Sequence, residues 1–151
     1  MLNCKQMQNK KSIFPEGMTS IEKVAAFLSK AGVFFVATTE DGQPKVRPFS
    51  YFNLQDDRLY FASGTFKEIY KQLKASPKVE IFAHIGAYFM RYDGVAVIVE
   101  DDESLMQHLR HSAKHMTDLY AQNGWKNFFF YLENGHVEIR ESLYPAEKFD
   151  V

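Results

Sequence analysis

A short segment of the chain combines residue types that could hold a phosphate group: Ser63, Gly64, Thr65 and Lys67. Glycine lets another group approach the backbone closely, and the two hydroxyls can donate hydrogen bonds. Thr65 and Glu68 form a T-x-x-E capping box, which predicts that a helix begins at Phe66 with Lys67 in its first turn. The N–H groups of a helix start attract anions, and lysine adds a positive charge. The segment indicates an anion site, and a solvated lysine on an ordinary helix is the alternative.

A strand and a helix are predicted to position this segment. Residues 59–62, with the sequence Leu-Tyr-Phe-Ala, favour a β-strand. Ile69, Tyr70 and Leu73 recur at helical spacing and predict the buried face of the helix that follows. The anion site would therefore lie at a junction of strand, turn and helix.

The composition is that of one globular domain with many aromatic residues. The chain has 151 residues, of which 14 are Phe and 8 are Tyr. This content suits a β-rich core or a pocket for a planar ligand. The formal net charge of −1 argues against broad binding of nucleic acids or of anionic membranes.

The sequence also predicts where the protein is found. The single cysteine, Cys4, cannot form an internal disulfide. The apolar runs are too short to span a bilayer, and residues 1–11 have no apolar core of a signal peptide. We therefore expect a cytoplasmic protein with no membrane segment.

The N-terminal part of the chain predicts an arm followed by a helix. Residues 1–17 are polar and aperiodic, so we expect a flexible arm, with residues 18–151 forming a single domain. Thr19 and Glu22 form a second capping box, and apolar residues follow at helical spacing. Gly32 is a suitable residue to end this helix.

Three strands are predicted next. Residues 33–39 form an apolar run that favours a buried strand, and Asp41-Gly42 predicts a tight turn into a returning strand over 44–54. A second turn at 55–57 leads into the strand that ends at Ser63. We expect these three strands to pair as an antiparallel meander.

Strands outnumber helices in the rest of the chain as well. The predicted elements are strands over 78–85 and 88–99, helices over 101–110 and around 115–122, and strands over 128–132 and 136–140. Asp93-Gly94 predicts a turn or bulge, Glu133-Asn134-Gly135 a hairpin turn, and the tail from Glu141 is polar. The fold class is therefore mainly β (α+β), as an antiparallel barrel with peripheral helices.

Two clusters of polar residues are interpreted as structural. His108, His111 and His115 have the spacing of an H-x-x-H-x-x-x-H motif, but a polar helix face explains them better than a zinc or haem site. Asp101, Asp102 and Glu103 stand where a helix is expected to begin, and capping and the helix dipole account for them. We expect no metal site.

Several motifs resemble one known family. Val46-Arg47-Pro48 falls on the second predicted strand, Tyr60-Phe61-Ala62-Ser63 ends another, and Lys67 follows. These motifs, with Ser76–Ile81, resemble the pyridoxamine 5′-phosphate oxidase-like family of FMN-binding split-barrel proteins. A later segment, Phe89–Gly94, approximates the aromatic-Arg-x-x-Gly pattern of the family. The resemblance covers nearly the whole folded part and implies an antiparallel split β-barrel and a homodimer with flavin at the subunit interface.

The same resemblance implies an FMN site. Arg47 would pair with the phosphate, because a guanidinium matches phosphate oxygens, and Lys67 and Ser63 would lie near the same group. Taken alone, Arg47 could also be a surface arginine on an exposed strand face. The remaining candidates for cofactor binding are strand residues that would border the flavin, the arginine of the later pattern, and a tryptophan that would cover the ring from the partner subunit: Val46, Pro48, Phe49, Phe61, Ala62, Gly64, Arg91 and Trp125.

The resemblance further implies an FMN-dependent oxidoreductase. Hydride would pass between a nicotinamide donor, NADH or NADPH, or another small reductant, and an unknown small substrate. The chain lacks the basic Arg-Leu-x-Pro type segment of the true oxidase, so we expect a general flavin oxidoreductase. The alternatives are a non-catalytic flavin-binding module and a split-barrel protein that binds haem or a deazaflavin. The sequence identifies no catalytic acid or base.

Overall fold

A computed structural model describes residues 12–151 of the chain. Most of the predicted arm, with Cys4, lies outside this part. The helices are α1 (Ser20–Ala31), α2 (Glu68–Ala75), α3 (Glu103–Ser112) and α4 (Lys114–Gln122). The strands are β1 (Phe34–Glu40), β2 (Gln43–Phe49), β3 (Phe52–Gln55), β4 (Arg58–Gly64), β5 (Lys78–Ile85), β6 (Tyr88–Ile98), β7 (Asn127–Glu141) and β8 (Tyr144–Asp150).

Helix α1 begins and ends as the sequence predicts. The amide of Glu22 donates to Thr19 Oγ1 at 3.3 Å, and the amide of Thr19 donates to Glu22 Oε2 at 2.8 Å, so both halves of the capping box form. Gly32 follows the helix with a φ of 76° and donates its amide to the carbonyl of Leu28. The predicted helix is confirmed.

The strand order shows how the sheet closes. The order is β2-β1-β5-β6-β7-β4-β3, with β8 added to β7, and every pairing is antiparallel. The consecutive strands β2 and β3 therefore stand at the two ends of the path, and only Ser50 and Tyr51 separate them in sequence. Such a short connection is possible only because the sheet curls round into a split barrel, which confirms the predicted fold class.

The predicted strand over 44–54 and its meander are wrong. The segment breaks after Phe49, and β2 pairs with β1 whereas β3 pairs with β4. Two prolines, Pro44 and Pro48, lie in β2 and cannot donate backbone hydrogen bonds, so this strand suits an edge position with a single neighbour.

Phenylalanine rings fill the barrel interior. The ring of Phe34 on β1 lies 6.1 Å from Phe49, 6.3 Å from Phe52 and 5.7 Å from Phe61, measured between centroids. Because Phe49 ends β2 and Phe52 begins β3, these contacts join both ends of the strand path. A second, smaller cluster lies on the outer face of β4 and β7, where helices α3 and α4 cover Ala62 and neighbouring residues.

Strand β7 differs from the hairpin that the sequence predicts. The chain runs straight through residues 133–135 as one strand, and Asn134 has a φ of 52° without reversing the direction. β6 pairs with β7 on both sides of this point, with the predicted bulge between Asp93 and Val95. The hairpin partner of residues 136–141 is instead β8, which forms from the polar tail, a segment whose sequence predicts no element.

Replacing Gly135 by alanine should destabilise the protein by about 1–3 kcal/mol. A Cβ at this position would lie 2.6 Å from Cε2 of the buried Tyr92, which is too close. Urea unfolding followed by circular dichroism measures the loss. The adjacent change Asn134→Gly is the control, since it relieves a left-handed backbone and should leave stability unchanged or raise it. Wild-type stability of Gly135→Ala would contradict the straight path of β7.

A histidine–aspartate pair connects β7 to β8 and should titrate measurably. His136 Nδ1 lies 2.7 Å from Asp150 Oδ1. The hydrogen bond and charge of Asp150, with a smaller effect of Asp93, raise the pKa of His136 above its usual 6.5. The contribution of the pair to stability is therefore complete below pH 6.5 and is lost as the pH rises through the folded-state pKa. NMR titration of the imidazole should show this raised pKa, and Asp150→Asn should lower it; equal values in both proteins would contradict the contact.

Candidate functional site

Arg47 projects from the inner face of the barrel. Paired residues of neighbouring strands share a face, and Arg47 lies in register with Val36, Ile81 and Tyr92, which are all fully buried. Arg47 itself is half-buried at the end of this row. An arginine in an otherwise apolar row needs specific partners, and the structure provides them.

Neutral groups alone hold the Arg47 guanidinium. Nη1 donates to Thr38 Oγ1 at 2.7 Å and to the carbonyls of Val36 at 3.1 Å and Lys45 at 3.2 Å, and Nη2 donates to Gln72 Oε1 at 2.6 Å. The Thr38 hydroxyl also donates to Gln72 Oε1 at 2.6 Å, and both of these side chains are buried. The network fixes the guanidinium between β1 and α2.

No carboxylate within residues 12–151 forms an ion pair with Arg47. Burial lowers the pKa of this arginine, but an arginine stays charged in proteins. The site therefore holds a positive charge that is partly removed from water and has no counter-ion among the residues that the structure describes. An anion is the ligand that such a charge favours most.

The predicted capping box at Thr65 is wrong. The Thr65 hydroxyl and amide both donate to the carbonyl of Lys126, at 3.2 and 2.9 Å, so the hydroxyl does not cap the helix. Helix α2 begins at Glu68, and Lys67 is its N-cap residue instead of a first-turn residue. The Lys67 ammonium lies 5.8 Å from the ring centroid of Phe66 and 5.5 Å from that of Tyr120. It remains close to the helix start, over aromatic faces that favour a cation.

The β4 candidates have buried side chains and one open backbone edge. Phe61 lies in the inner core, Ala62 faces the α3–α4 cluster, and Ser63 is buried. A Cβ at Gly64 would overlap the ring of Phe66, so only glycine lets this ring fold back there. β3 begins at Phe52, which pairs with Phe61, so the residues of β4 after Phe61 have a neighbouring strand on the β7 side alone. The backbone groups there lack a strand partner on the other side.

The other strand candidates divide between the two faces of the sheet. Phe49 shares the inner face with Arg47. Val46 and Pro48 project from the outer face, and Arg91 also lies there, with its Nε 3.6 Å from Glu80 Oε1. Within one chain, the structure does not bring Arg91 together with Arg47.

Trp125 belongs to an aromatic cluster with Phe66 and Tyr120. Its ring stacks on Phe66 at 4.2 Å between centroids, with an interplanar angle of 24°, and Tyr120 packs edge-on against Phe66 at 5.1 Å. Trp125 remains 44% exposed. Phe66 is more than 50 residues from Tyr120 and Trp125 in sequence, so no local sequence pattern could have indicated the cluster.

Neither histidine nor acidic residues form a metal site in the part of the chain that the structure covers. His108, His111 and His115 are exposed, and the boundary between α3 and α4 at Ala113 separates the last from the other two. Asp102 caps α3 by accepting from the Leu105 amide at 2.9 Å, as predicted. Among the helices from Ser12 onward, none combines the length and apolar composition that a membrane crossing requires.

The fold is a split barrel, and its candidate site contains a half-buried arginine that is held by neutral groups. A family model described as pyridoxamine 5′-phosphate oxidase matches residues 20–132. The chain therefore belongs to this family, which confirms the family predicted from the motifs. No curated protein matches the chain significantly.

Solved structures agree with this assignment. A NimC/NimA family protein from Clostridium acetobutylicum is 26% identical with a TM-score of 0.76, and the match covers 89% of this chain and 95% of that one. A pyridoxamine 5′-phosphate oxidase-related, FMN-binding protein from Nostoc punctiforme is 15% identical with a TM-score of 0.58, over 91% and 99% of the two chains. A haem-binding protein from Mycobacterium smegmatis is 18% identical with a TM-score of 0.62, over 89% of this chain and 58% of that one. The last two likenesses concern the fold alone.

Proposed function

We propose that this protein is an FMN-dependent oxidoreductase that works as a homodimer in the cytoplasm. It would transfer hydride between NADH, NADPH or another small reductant and a small-molecule acceptor. The observation that carries the proposal is the half-buried Arg47 guanidinium, which is held by neutral groups and has no ion-pair partner within the described chain. The FMN named for the Nostoc relative supports the choice of ligand.

The residues present fit a flavin phosphate. Arg47 would pair with the phosphate oxygens, and Lys67 at the N-cap of α2 would add a second cation. The open backbone edge of β4 beyond Phe61 offers donors and acceptors of the kind that a flavin ring requires. The bound flavin would supply the redox chemistry, and the protein would orient it and exclude water.

An apolar surface supports the homodimer. Val46, which is 63% exposed, lies on the outer face of the sheet with Phe35 and the half-buried Phe82 and Phe89. A contiguous apolar sheet face of this kind is typical of an interface. A second copy on this face would also approach Arg91, which lies there, so the outer-face candidates could reach a cofactor from the partner.

The dimer can be tested by light scattering coupled to size exclusion. Val46→Glu should shift the protein towards a monomer, because it places a charge in the apolar face. Leu119→Glu on α4 is the matched control, since Leu119 is also exposed but lies on another surface, and it should keep the wild-type mass. A monomeric wild-type protein would contradict the proposal.

Titration of the apo-protein with FMN tests the cofactor. We expect saturable binding with a Kd in the micromolar range or below, together with oxidation of NADH or NADPH by the loaded protein when a small acceptor is supplied. Binding without turnover would support the non-catalytic flavin module instead. A purified protein with a haem absorption spectrum and no affinity for FMN would contradict the flavin proposal.

Replacing Lys67 by methionine should raise the Kd for FMN about tenfold, because one charge-assisted contact to the phosphate is lost. Methionine keeps an unbranched side chain over the rings of Phe66 and Tyr120, so the unfolding free energy of the apo-protein should change by less than about 0.5 kcal/mol. Lys71→Met is the control, since Lys71 lies on the same helix and pairs with Glu68 at 3.4 Å. Equal affinities of both variants would exclude Lys67 from the site.

A further inference from the structure

A cavity of about 470 Å³ lies between α2, the helices α3 and α4, and the start of β7. Its volume is within the range of small-molecule sites. The lining is mostly apolar and aromatic and includes Tyr70, Ile98, Met106, Trp125 and Phe128. Neither Arg47 nor Lys67 belongs to the lining, whereas Thr65 and Trp125 do, so the cavity adjoins the proposed phosphate site without containing its two cations.

One polar side chain of the lining has a fixed orientation. Asn127 is only 8% exposed, and its Nδ2 donates to Thr117 Oγ1 at 2.7 Å. The Thr117 hydroxyl in turn donates to the carbonyl of Arg110 at 3.1 Å. A carbonyl can only accept, so the hydroxyl proton is used there and Thr117 must accept from Asn127. The amide nitrogen therefore faces Thr117, and the amide cannot flip without losing this bond.

The orientation leaves an acceptor without a protein partner. Asn127 Oδ1 accepts no hydrogen bond from any residue in the described range, and it is not one of the fully buried unpaired atoms, so water reaches it from the cavity. A ligand that donates an O–H or N–H would replace water at this oxygen and keep its hydrogen bond, whereas a ligand without a donor would displace the water and leave the oxygen unpaired. The acceptor thus selects for a donor on the ligand.

The charged residues of the lining favour a neutral ligand. Arg110 Nη1 pairs with Glu103 at 2.9 Å, and Glu100 lies 3.9 Å from the Lys74 ammonium. Each charge already has an opposite charge beside it. Lys126, the third charged residue of the lining, is exposed, so water and salt screen it.

We propose that this cavity binds a neutral, flat aromatic molecule of one or two rings that donates an O–H or N–H to Asn127 Oδ1. The aromatic rings of Tyr70, Trp125 and Phe128 supply stacking and edge contacts to such a ring. The proposal concerns a second small-molecule site and does not depend on flavin binding. No chemical step is assigned to the ligand.

The test compares two probes on the full-length apo-protein by isothermal titration calorimetry. 2-Naphthol carries the required donor, and 2-methoxynaphthalene has a similar shape without it. We expect 2-naphthol to bind at one site per chain and 2-methoxynaphthalene to bind at least tenfold more weakly. Absence of 2-naphthol binding, or equal affinity for the two probes, would overturn the proposal.

The position of the site is tested by NMR and by filling the cavity. The chain has one tryptophan, so its single indole N–H resonance should shift on binding of 2-naphthol. Ala121→Phe on α4 fills the cavity and should abolish binding, whereas Ala75→Phe, at an exposed alanine of α2 outside the lining, should not. Met106→Trp, which fills the cavity from α3, serves as a second variant if Ala121→Phe melts below the wild type. Binding that survives both filling variants would overturn the proposal.

Saturating FMN separates this site from the proposed cofactor site. Unchanged affinity for 2-naphthol in the presence of FMN would support two distinct sites. Competition between the two would overturn the proposal, because the cavity would then be part of the flavin site. A protein that binds 2-naphthol but not FMN would support the cavity and contradict the proposed function alone.

Discussion

Replacing Phe34 by alanine should lower the free energy of unfolding by about 3–5 kcal/mol. Phe34 is fully buried, and its ring contacts Phe49, Phe52 and Phe61 from three other strands. Removing the ring loses these contacts and leaves a cavity where the two ends of the sheet meet. Denaturant unfolding followed by circular dichroism and by fluorescence measures the loss.

The loss of stability should depend on the volume of the side chain at position 34. Phe34→Leu retains most of the apolar volume, so it should cost clearly less than the alanine variant. Leu143→Ala is the matched control at an apolar residue that is 84% exposed, and its effect should stay within about 0.5 kcal/mol. A loss below about 1 kcal/mol in Phe34→Ala would contradict the closure of the barrel around this ring.

Local sequence patterns predicted the elements whose determinants are close in sequence. The capping box of Thr19 and Glu22 lies within one turn of α1, and both of its hydrogen bonds form. The alternation of apolar and polar residues over Lys78–Ile85 also matches the burial of β5. In both cases, the residues that decide the structure are inside the element itself.

The errors occur where a distant partner decides the structure. The residues of β2 and β3 have similar strand propensity, but their partners are β1 and β4, and nothing local indicates the break after Phe49. Glu133-Asn134-Gly135 is a typical hairpin turn, yet pairing with β6 on both sides keeps β7 straight. Tertiary pairing overrode local strand propensity at the first place and local turn preference at the second.

In the candidate site, too, the sequence predicted what depends on nearby residues and missed what depends on distant contacts. The motifs identified the family and the residue types, because these depend on short sequence patterns. The position of Lys67 was misjudged because Thr65 bonds to Lys126, 61 residues away, instead of capping α2. The Gln72 contact of Arg47 and the stacking of Trp125 on Phe66 also cross between distant elements, so only the structure could reveal them.

Arg47→Ala should weaken FMN binding by about 1.5–3 kcal/mol, which is roughly a 10- to 150-fold rise in Kd. The same change should also destabilise the apo-protein by about 1–3 kcal/mol, because Thr38, Gln72 and the carbonyls of Val36 and Lys45 lose their donor. FMN titration and denaturant unfolding of the same preparations measure both effects. Unchanged affinity in a folded variant would remove Arg47 from the cofactor site.

A charge introduced at Gln72 separates the two roles of the arginine. Gln72→Glu keeps an acceptor for Arg47 Nη2 and for the Thr38 hydroxyl, and places a carboxylate beside the guanidinium. The apo-protein should then be as stable as the wild type or more stable, whereas FMN should bind more weakly because the arginine charge is already neutralised. Loss of both stability and affinity would instead mean that the weaker binding of Arg47→Ala reflects structural damage. Retained stability with weakened binding would show that the uncompensated charge itself attracts the phosphate.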